Sequence, residues 1–254
     1  METRAPRTSR RLYYLDWLRV LLILGVFLYH ALHPFDATIG WHIKNDEQSV
    51  LVMVFLILLL PWGLPLFFLV AGVGSRFSLR HRSNRQFVRE RVLRLAVPFV
   101  VGSALLTPVQ LYLEALHKGE YAGGFFGYLP EMVADIAPAM WLSPLTLTHV
   151  GLHLWFIAFL FLFSVMAVPI FTWFRRDAGR SFIARLARLV QARGGILLFV
   201  LPLAVVRILI QPFAPEEHGW LDFVYSFVFF VLGYVIYSDD RFLPAIRRDR
   251  WLLL

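Results

Sequence analysis

Six runs of about twenty apolar residues constrain this chain more than any other feature of its sequence. A backbone surrounded by hydrocarbon must satisfy its hydrogen bonds within its own segment, so each run predicts a helix that crosses a membrane. We therefore expect an all-α fold, a polytopic transmembrane helix bundle. The predicted spans are Leu12–Leu32, Val50–Val73, Leu93–Leu113, Gly151–Phe174, Gly195–Ile210 and Leu221–Tyr237.

The composition supports this fold class, because 59% of the 254 residues are apolar and only 17% are charged. A soluble domain carries about a quarter charged residues, so an ordinary cytosolic enzyme is excluded. The absence of cysteine excludes disulfides, thiolate nucleophiles and cysteine-based zinc sites. Residues 1–11 are predicted to form a basic cytoplasmic N-terminus, and residues 12–254 one transmembrane domain. The apolar run Trp251–Leu254 resembles the start of a seventh span, which predicts a domain that is incomplete at its C-terminus.

The charges between the spans predict the orientation. Twenty-one arginines lie in the N-terminal segment and in every second loop, whereas the other loops carry only Lys44 and Lys118 beside nine acidic residues. Basic loops remain in the cytoplasm, so the N-terminus is predicted to face the cytoplasm. The remaining two arginines, Arg19 and Arg207, lie inside predicted spans. A charge costs about 2.5–3.5 kcal/mol there, so these side chains are expected to face a partner or a wet cavity.

Three polar side chains share one face of the first span. Arg19 and His30 are eleven residues apart, which brings them to the same face at a separation of about 16.5 Å along the axis. Asp16 precedes Arg19 by three residues, so the two can form an ion pair along the helix. The alternative is that the pair is structural and that His30 is an interfacial residue. The shared face favours a functional site.

The second span contains Pro61 and Pro65 near its midpoint. Two prolines four residues apart remove backbone donors, which predicts a kink or an opening of the helix. Carbonyl groups freed at this depth are tolerated only against protein or a water-filled cavity. A simple packing kink explains the prolines equally well.

A basic segment with Arg89, Arg91 and Arg94 precedes the third span. Arg91 and Arg94 are one helical turn apart, a spacing that suits phosphate oxygens. Cytoplasmic segments are also basic for topological reasons, however, and their arginines then face lipid headgroups. At the start of the fourth span, His149 and His153 have a spacing that suits a metal. No glutamate completes a metalloprotease pattern, so we predict no metal site.

At this point the sequence resembles the acyltransferase family 3 membrane proteins, and within them the glucan-modifying branch. The resemblance covers the whole chain, and four motifs occur in the family's order at matching topological positions. They are Tyr14-Leu-Asp-Trp-Leu-Arg19 followed after ten residues by His30, Pro65-Leu-Phe-Phe-Leu-Val-Ala-Gly72, Arg91-x-x-Arg94-Leu-x-x-Pro98 and His153-Leu-Trp-Phe156.

The resemblance implies transfer of an acyl group, acetyl or succinyl, from cytoplasmic acyl-coenzyme A to a hydroxyl of an envelope glucan or other carbohydrate. By the same resemblance, the chain is expected in a bacterial inner membrane, with His30 as the catalytic residue and Arg19 as its companion. Asp16 is included in the expected catalytic set because its spacing lets it fix Arg19. Arg91 and Arg94 match the family's pair that is expected to engage coenzyme A, and Arg89 beside them is included in the expected coenzyme A site. Acyl-coenzyme A is then a substrate, and no bound cofactor is expected.

The acceptor side is less defined in the sequence. His153, Trp155 and Arg207 are the candidates for binding the carbohydrate. The other expected partner is the lipid bilayer, and no nucleic acid is expected.

Two other interpretations stay open. Intramembrane arginines beside a proline-interrupted helix also suit a transporter or flippase of an anionic solute, although no repeat relates the two halves of the chain. The chain could also be an inactive fragment of the acyltransferase.

Overall fold

A computed structural model describes residues 12–38, 41–136, 144–214 and 218–252, and the described residues are mainly helical with no β-strand. The predicted all-α fold is confirmed. The predicted basic N-terminal segment, residues 1–11, lies outside the described residues. Eleven α-helices are formed by the described residues. They are α1 (Tyr13–Leu32), α2 (Val50–His81), α3 (Asn84–Arg91), α4 (Val97–Lys118), α5 (Phe125–Ile136), α6 (Pro144–Gly151), α7 (Trp155–Phe174), α8 (Asp177–Val190), α9 (Val200–Ile210), α10 (Trp220–Ile236) and α11 (Phe242–Asp249).

Short turns of other helix types join several of these helices. A π-helical turn, Val92–Ala96, connects α3 to α4. The remaining turns are 3₁₀ helices. They are His33–Phe35, Leu152–Leu154, Gly195–Phe199 and Arg250–Leu252.

In the part of the chain that the structure describes, four continuous helical segments are long and apolar enough to cross a membrane, which makes the chain a polytopic membrane protein. The last two predicted spans correspond to shorter apolar helices. The long segments are Tyr13–Phe35, Val50–His81, Asn84–Lys118 and Pro144–Phe174, and the shorter helices are Gly195–Ile210 and Trp220–Ile236. The second helix ends at His81 rather than at the predicted Val73, so Arg76 and Arg80 lie on its last two turns.

Helix α2 continues through both of its central prolines, Pro61 and Pro65. The indole nitrogen of Trp62, between them, donates a hydrogen bond to the Leu58 carbonyl oxygen at 2.7 Å. This arrangement favours an intact helix over an unwound segment at the prolines.

The chain divides into two compact units, residues 1–63 and 64–254. In the first unit, the loop after α1 folds back on itself before α2 begins. The amide of Asn45 donates to the Pro34 carbonyl oxygen at 2.9 Å, and the amide of Ser49 donates to that of Phe35 at 2.7 Å. These bonds hold the loop against the end of α1.

The core of the second unit is built by α7, α10 and the second half of α2. The ring of Phe163 contacts Phe227 at 5.4 Å, and two turns further along both helices the ring of Phe171 stacks on Tyr234 at 3.9 Å. Helices α7 and α10 therefore run parallel, as the fourth and sixth of six alternating spans must.

Helix α2 approaches α10 at two glycines. A Cβ atom on Gly72 would lie 1.9 Å from the Phe230 carbonyl oxygen, and one on Gly233 would lie 1.9 Å from that of Leu69. Only glycine permits this backbone contact, and small residues serve the same purpose in other membrane helix pairs.

Candidate functional site

The polar face of α1 forms as its spacing predicts. The Asp16 carboxylate accepts a hydrogen bond from the Arg19 guanidinium at 3.3 Å, and both side chains are about half exposed. The predicted ion pair is thus confirmed. His30 lies near the other end of the same helix, with three turns between it and Arg19.

The imidazole of His30 has a fixed orientation. Its Nδ1 atom lies 2.8 Å from the carbonyl oxygen of Val26, one turn earlier in α1. A carbonyl oxygen can only accept a hydrogen bond, so Nδ1 carries the ring hydrogen. In the neutral ring the basic lone pair therefore belongs to Nε2, which suits a general base.

Aromatic rings surround this imidazole, and we call Tyr29, His30, His33, Trp41 and His42 the α1 ring cluster. Tyr29 meets His30 edge to face at 5.4 Å, and the Trp41 ring lies 5.9 Å from it. Trp41 also stacks on His33 at 4.0 Å and contacts His42 at 5.4 Å. The cluster gives the end of α1 a set of flat faces beside a basic nitrogen.

A buried ion pair holds the loop that carries Trp41. The carboxylate of Asp36 is fully buried and accepts hydrogen bonds from the Lys44 ammonium and from the Thr38 hydroxyl and amide. Lys44 also donates to the His33 carbonyl oxygen at 2.9 Å. Burial alone would raise the pKa of Asp36, but the bonds from Lys44 and Thr38 outweigh it and lower that pKa. The sequence predicted Asp36 and Lys44 only as loop charges.

The predicted coenzyme A segment begins at a well-defined helix start. The hydroxyl of Ser83 accepts a hydrogen bond from the Gln86 amide, and the Gln86 side chain accepts one from the Ser83 amide, which forms a capping box for α3. Near the end of α3, the Arg91 guanidinium lies 4.8 Å from the ring centre of buried Phe87 and 3.5 Å from the Ser75 hydroxyl. Arg91 is therefore held against α2.

The three predicted arginines have different surroundings. Arg94 lies within the π-helical turn, which is closed by a hydrogen bond from the Val97 amide to the Val92 carbonyl oxygen, and it is exposed. Arg89 is also exposed and lines a surface depression of about 440 Å³ with Ser83, Arg85 and Gln86. Such π-helical turns are frequent at functional sites.

The predicted acceptor residues divide into two places. Trp155 contacts His218 at 4.4 Å, and the His218 amide donates to the Asp222 carboxylate at 2.7 Å. His153 precedes Trp155 in a 3₁₀ turn that begins at Leu152 with a strained φ of 43°.

Arg207 lies elsewhere in the same unit. Its guanidinium sits 5.4 Å from the ring centre of Tyr225 and donates to the Gln211 side chain at 3.4 Å. The structure adds His218 beside Trp155, a neighbour that no sequence pattern indicated.

Comparison with curated proteins finds relatives named glucans biosynthesis protein C. Those of Salmonella paratyphi A (strain ATCC 9150 / SARB42) and Salmonella agona (strain SL483) are each 25% identical over 240 residues, and that of Salmonella schwarzengrund (strain CVM19633) is 24% identical. The alignments cover 90% of this chain and 58% of each relative, so the chain spans less than two thirds of their length. No solved structure matches the chain.

A family comparison gives a broader match. The model of acyltransferase family 3, described as an acyltransferase domain, matches residues 12–254. This range includes α1 with its polar face, the arginines before α4 and the start of α7. Since the match covers nearly the whole sequence, the chain belongs to acyltransferase family 3.

Proposed function

We propose that this protein is an integral membrane O-acyltransferase of the bacterial inner membrane, with its N-terminus in the cytoplasm. It transfers an acyl group, acetyl or succinyl, from cytoplasmic acyl-coenzyme A to a hydroxyl of an envelope glucan or related carbohydrate. Family membership supports acyl transfer, and the printed name of the relatives, glucans biosynthesis protein C, supports a glucan as the acceptor. The single observation that carries the proposal is the orientation of His30, whose Nδ1 is held by Val26 so that Nε2 is the basic nitrogen.

In the proposed reaction His30 is the general base. Nε2 accepts the proton of the attacking hydroxyl while that oxygen forms a bond to the thioester carbonyl carbon. The resulting tetrahedral intermediate collapses as the carbon–sulfur bond breaks. The leaving thiolate then takes the proton back from the imidazolium ring, which yields an ester, free coenzyme A and neutral His30.

A second form of the reaction uses His30 as a transient acyl carrier. Nε2 would then attack the thioester, and the acceptor hydroxyl would attack the acyl-imidazole. Both forms need the same lone pair on Nε2. We favour the general-base form because it requires one transfer rather than two.

Arg19 serves the donor end of the path in this proposal. It is separated from His30 by about 16.5 Å along α1, so the two side chains cannot contact one reacting carbonyl. The ion pair with Asp16 would keep the guanidinium oriented toward the donor. The charged part of coenzyme A would remain with Arg91, Arg94 and Arg89 at the basic cytoplasmic side.

The carbohydrate would bind near the aromatic groups. Each unit offers such groups separately, the α1 ring cluster in the first and Trp155 with His153 in the second, and their flat faces are of the kind that stack on sugar rings. Arg207 is the weaker candidate, because its guanidinium lies against Tyr225 and Gln211 rather than beside an aromatic platform.

The test is to replace His30 by Ala and to measure acylation of the glucan fraction by membranes that contain the full chain and labelled acyl-coenzyme A. The matched control is His149→Ala, because the His149 Nδ1 atom also contacts a carbonyl oxygen one turn earlier, that of Leu145 at 2.7 Å. We expect His30→Ala to lower the rate by about 100-fold or more, the usual contribution of general acid–base catalysis, and His149→Ala to leave it unchanged.

Undiminished product from His30→Ala would overturn the proposal. Movement of a labelled anionic solute across the membrane, without transfer of label from the acyl donor to any acceptor, would instead support a transporter.

A further inference from the structure

Three arginines of the second unit lie at the end of α2, and one of them contacts a buried tyrosine. Arg76 and Arg80 lie on the last two turns of α2, Arg175 follows the end of α7, and Tyr234 belongs to α10. The Arg76 guanidinium lies 5.6 Å from the Tyr234 ring centre, and the Arg175 guanidinium donates to the Leu79 carbonyl oxygen in the last turn of α2. None of these four residues belongs to the coenzyme A segment predicted from the sequence.

Close packing of α2 against α10 explains why Arg76 and Tyr234 meet. Gly72 brings α2 against the backbone of α10, and Arg76, one turn later, therefore reaches the next turn of α10. Its Nε atom donates to the Ser238 hydroxyl at 3.1 Å, and its guanidinium lies 5.6 Å from the Tyr234 ring centre. The Tyr234 ring itself is fixed by stacking on Phe171 of α7.

Within the described ranges, the guanidinium groups of Arg76, Arg80 and Arg175 have only neutral partners. Arg175 donates to the Leu79 carbonyl oxygen at 3.3 Å and to the Asn84 side chain. Among the described residues, no carboxylate forms an ion pair with Arg76, Arg80 or Arg175. Asp239 follows Ser238 in the chain but is paired with Arg241 at 2.7 Å. The cluster thus concentrates positive charge that its protein surroundings leave uncompensated.

The second feature that points to a ligand is the buried hydroxyl of Tyr234. The residue is 1% exposed, and its hydroxyl has no hydrogen-bond partner in the part of the chain that the structure describes. A buried hydroxyl without a partner costs about 1–3 kcal/mol. The Arg76 guanidinium beside the ring carries only donors, so it cannot accept the hydrogen of this hydroxyl. An acceptor with several lone pairs could satisfy the hydroxyl and the guanidinium together.

We propose that Arg76, Arg175 and Tyr234 form a binding site for a phosphoryl group, with Arg80 at its exposed edge. A phosphoryl group offers several oxygens to guanidinium forks and accepts the tyrosine hydrogen at the same time.

Two sources could supply such a group. One is a soluble phosphate, such as a phosphate of the acyl donor, and the other is an anionic lipid headgroup. Arg91 reaches Ser75, which is adjacent in sequence to Arg76, so the predicted coenzyme A segment and this cluster share one turn of α2. The assignment to the acyl donor rests on the proposed function, whereas the phosphoryl site itself does not.

The experiment uses the full chain in nanodiscs of zwitterionic lipid and measures binding of inorganic pyrophosphate and of coenzyme A by calorimetry. A second arm measures binding of phosphatidic acid by native mass spectrometry. The variants are Arg76→Gln, Arg175→Gln and Tyr234→Phe, and Arg185→Gln is the control that removes one exposed charge from α8. Thermal unfolding of each variant reports on folding.

We expect each arginine variant to weaken binding of the cognate ligand about tenfold, and Tyr234→Phe a few fold, which is the range of charge-assisted hydrogen bonds. Arg185→Gln should leave binding unchanged. Losses in the pyrophosphate and coenzyme A arm would identify a soluble phosphate, and losses only in the phosphatidic acid arm would identify a lipid.

Tyr234→Phe keeps the proposal testable if an arginine variant fails to fold, because the ring stacking remains. Unchanged binding in both arms for Tyr234→Phe and for any folded arginine variant would overturn the proposal. If His30→Ala loses acylation while the Tyr234 and arginine variants bind phosphate as the wild type does, the proposed function holds and the phosphoryl site does not.

Discussion

The Nδ1 atom of His30 lies 2.8 Å from the carbonyl oxygen of Val26, one turn earlier in the same helix. This contact places the ring hydrogen on the side of the helix backbone and the basic nitrogen on the opposite side of the ring. In the proposed reaction, one side chain would combine a structural hydrogen bond with a general base. The two roles can be separated by substitution.

We expect His30→Gln to fail as an enzyme while it folds normally. The amide of glutamine can still donate a hydrogen bond, but it has no basic nitrogen, so the acylation rate should fall about 100-fold or more, as for His30→Ala. The measurement is the rate of glucan acylation beside the midpoint of thermal unfolding. A His30→Gln variant that keeps most of the wild-type rate would mean that the ring has only a structural role.

Asp16 is expected to act through Arg19. Both side chains are about half exposed, so their pairing should contribute less than about 1 kcal/mol to stability. If the pair orients the guanidinium toward the donor, Asp16→Asn and Arg19→Gln should each raise the KM for acyl-coenzyme A. The double variant should then be no worse than Arg19→Gln alone. Additive effects of the two substitutions on KM would show that the carboxylate acts independently.

Arg91 and Arg94 should differ in their tolerance of lysine. Arg91 packs on the ring face of Phe87 and reaches Ser75, and a lysine ammonium lacks the planar fork for such contacts. Arg94 is exposed, so a point charge can replace it. We expect Arg91→Lys to weaken binding of acyl-coenzyme A about tenfold and Arg94→Lys to change it little. Equal affinities for the two variants, measured by calorimetry, would contradict this distinction.

Local spacing explains what could be predicted from the sequence. Apolar runs predicted the helices, and a separation of three residues on one helix predicted the Asp16–Arg19 pair, because helix geometry alone determines both. The predicted pairing of Arg91 with Arg94 on one face assumed regular α-helical spacing. The π-helical turn interrupts that spacing, and no residue of Val92–Ala96 signals it in the sequence.

Contacts between distant parts of the chain could not be predicted in this way. Lys44 reaches Asp36 through an irregular loop, whose path depends on backbone hydrogen bonds rather than on a periodic pattern. Arg76 meets Tyr234 only because two glycines let α2 and α10 approach. Identification of such a pair requires the packing of two helices that are far apart in sequence.

Acid should loosen the loop at the end of α1. The pKa of Asp36 is lowered in the folded protein, so its ionised carboxylate stabilises the loop above about pH 4 and this stabilisation is lost as the pH falls through the lowered pKa. The groups that face this carboxylate are Lys44, Thr38 and His33. Lys44→Met removes the strongest effect that lowers the pKa, so loosening should begin at a higher pH.

The measurement for this prediction is the fluorescence of Trp41, obtained as the difference from a Trp41→Phe variant, because Trp41 stacks on His33. Asp46→Asn is the control, since Asp46 is an exposed carboxylate of the same loop. An acid transition that stays in place in Lys44→Met would argue against the buried pair as its cause.

The approach of α2 to α10 should be sensitive to a single methyl group. In Gly72→Ala the new Cβ would lie 1.9 Å from the Phe230 carbonyl oxygen, and a backbone atom cannot move aside as a flexible side chain can. The helices must separate, at a cost of about 1–3 kcal/mol. Gly63→Ala in the same helix meets nothing within 4 Å, so it should be neutral or stabilise the helix by up to about 1 kcal/mol. The midpoint of thermal unfolding should therefore fall for Gly72→Ala and stay the same or rise for Gly63→Ala. An unfolding midpoint of Gly72→Ala equal to that of Gly63→Ala would show that the packing of the two helices does not depend on this contact. Separation of α2 from α10 would also draw Arg76 away from Tyr234, so Gly72→Ala should weaken pyrophosphate binding as well.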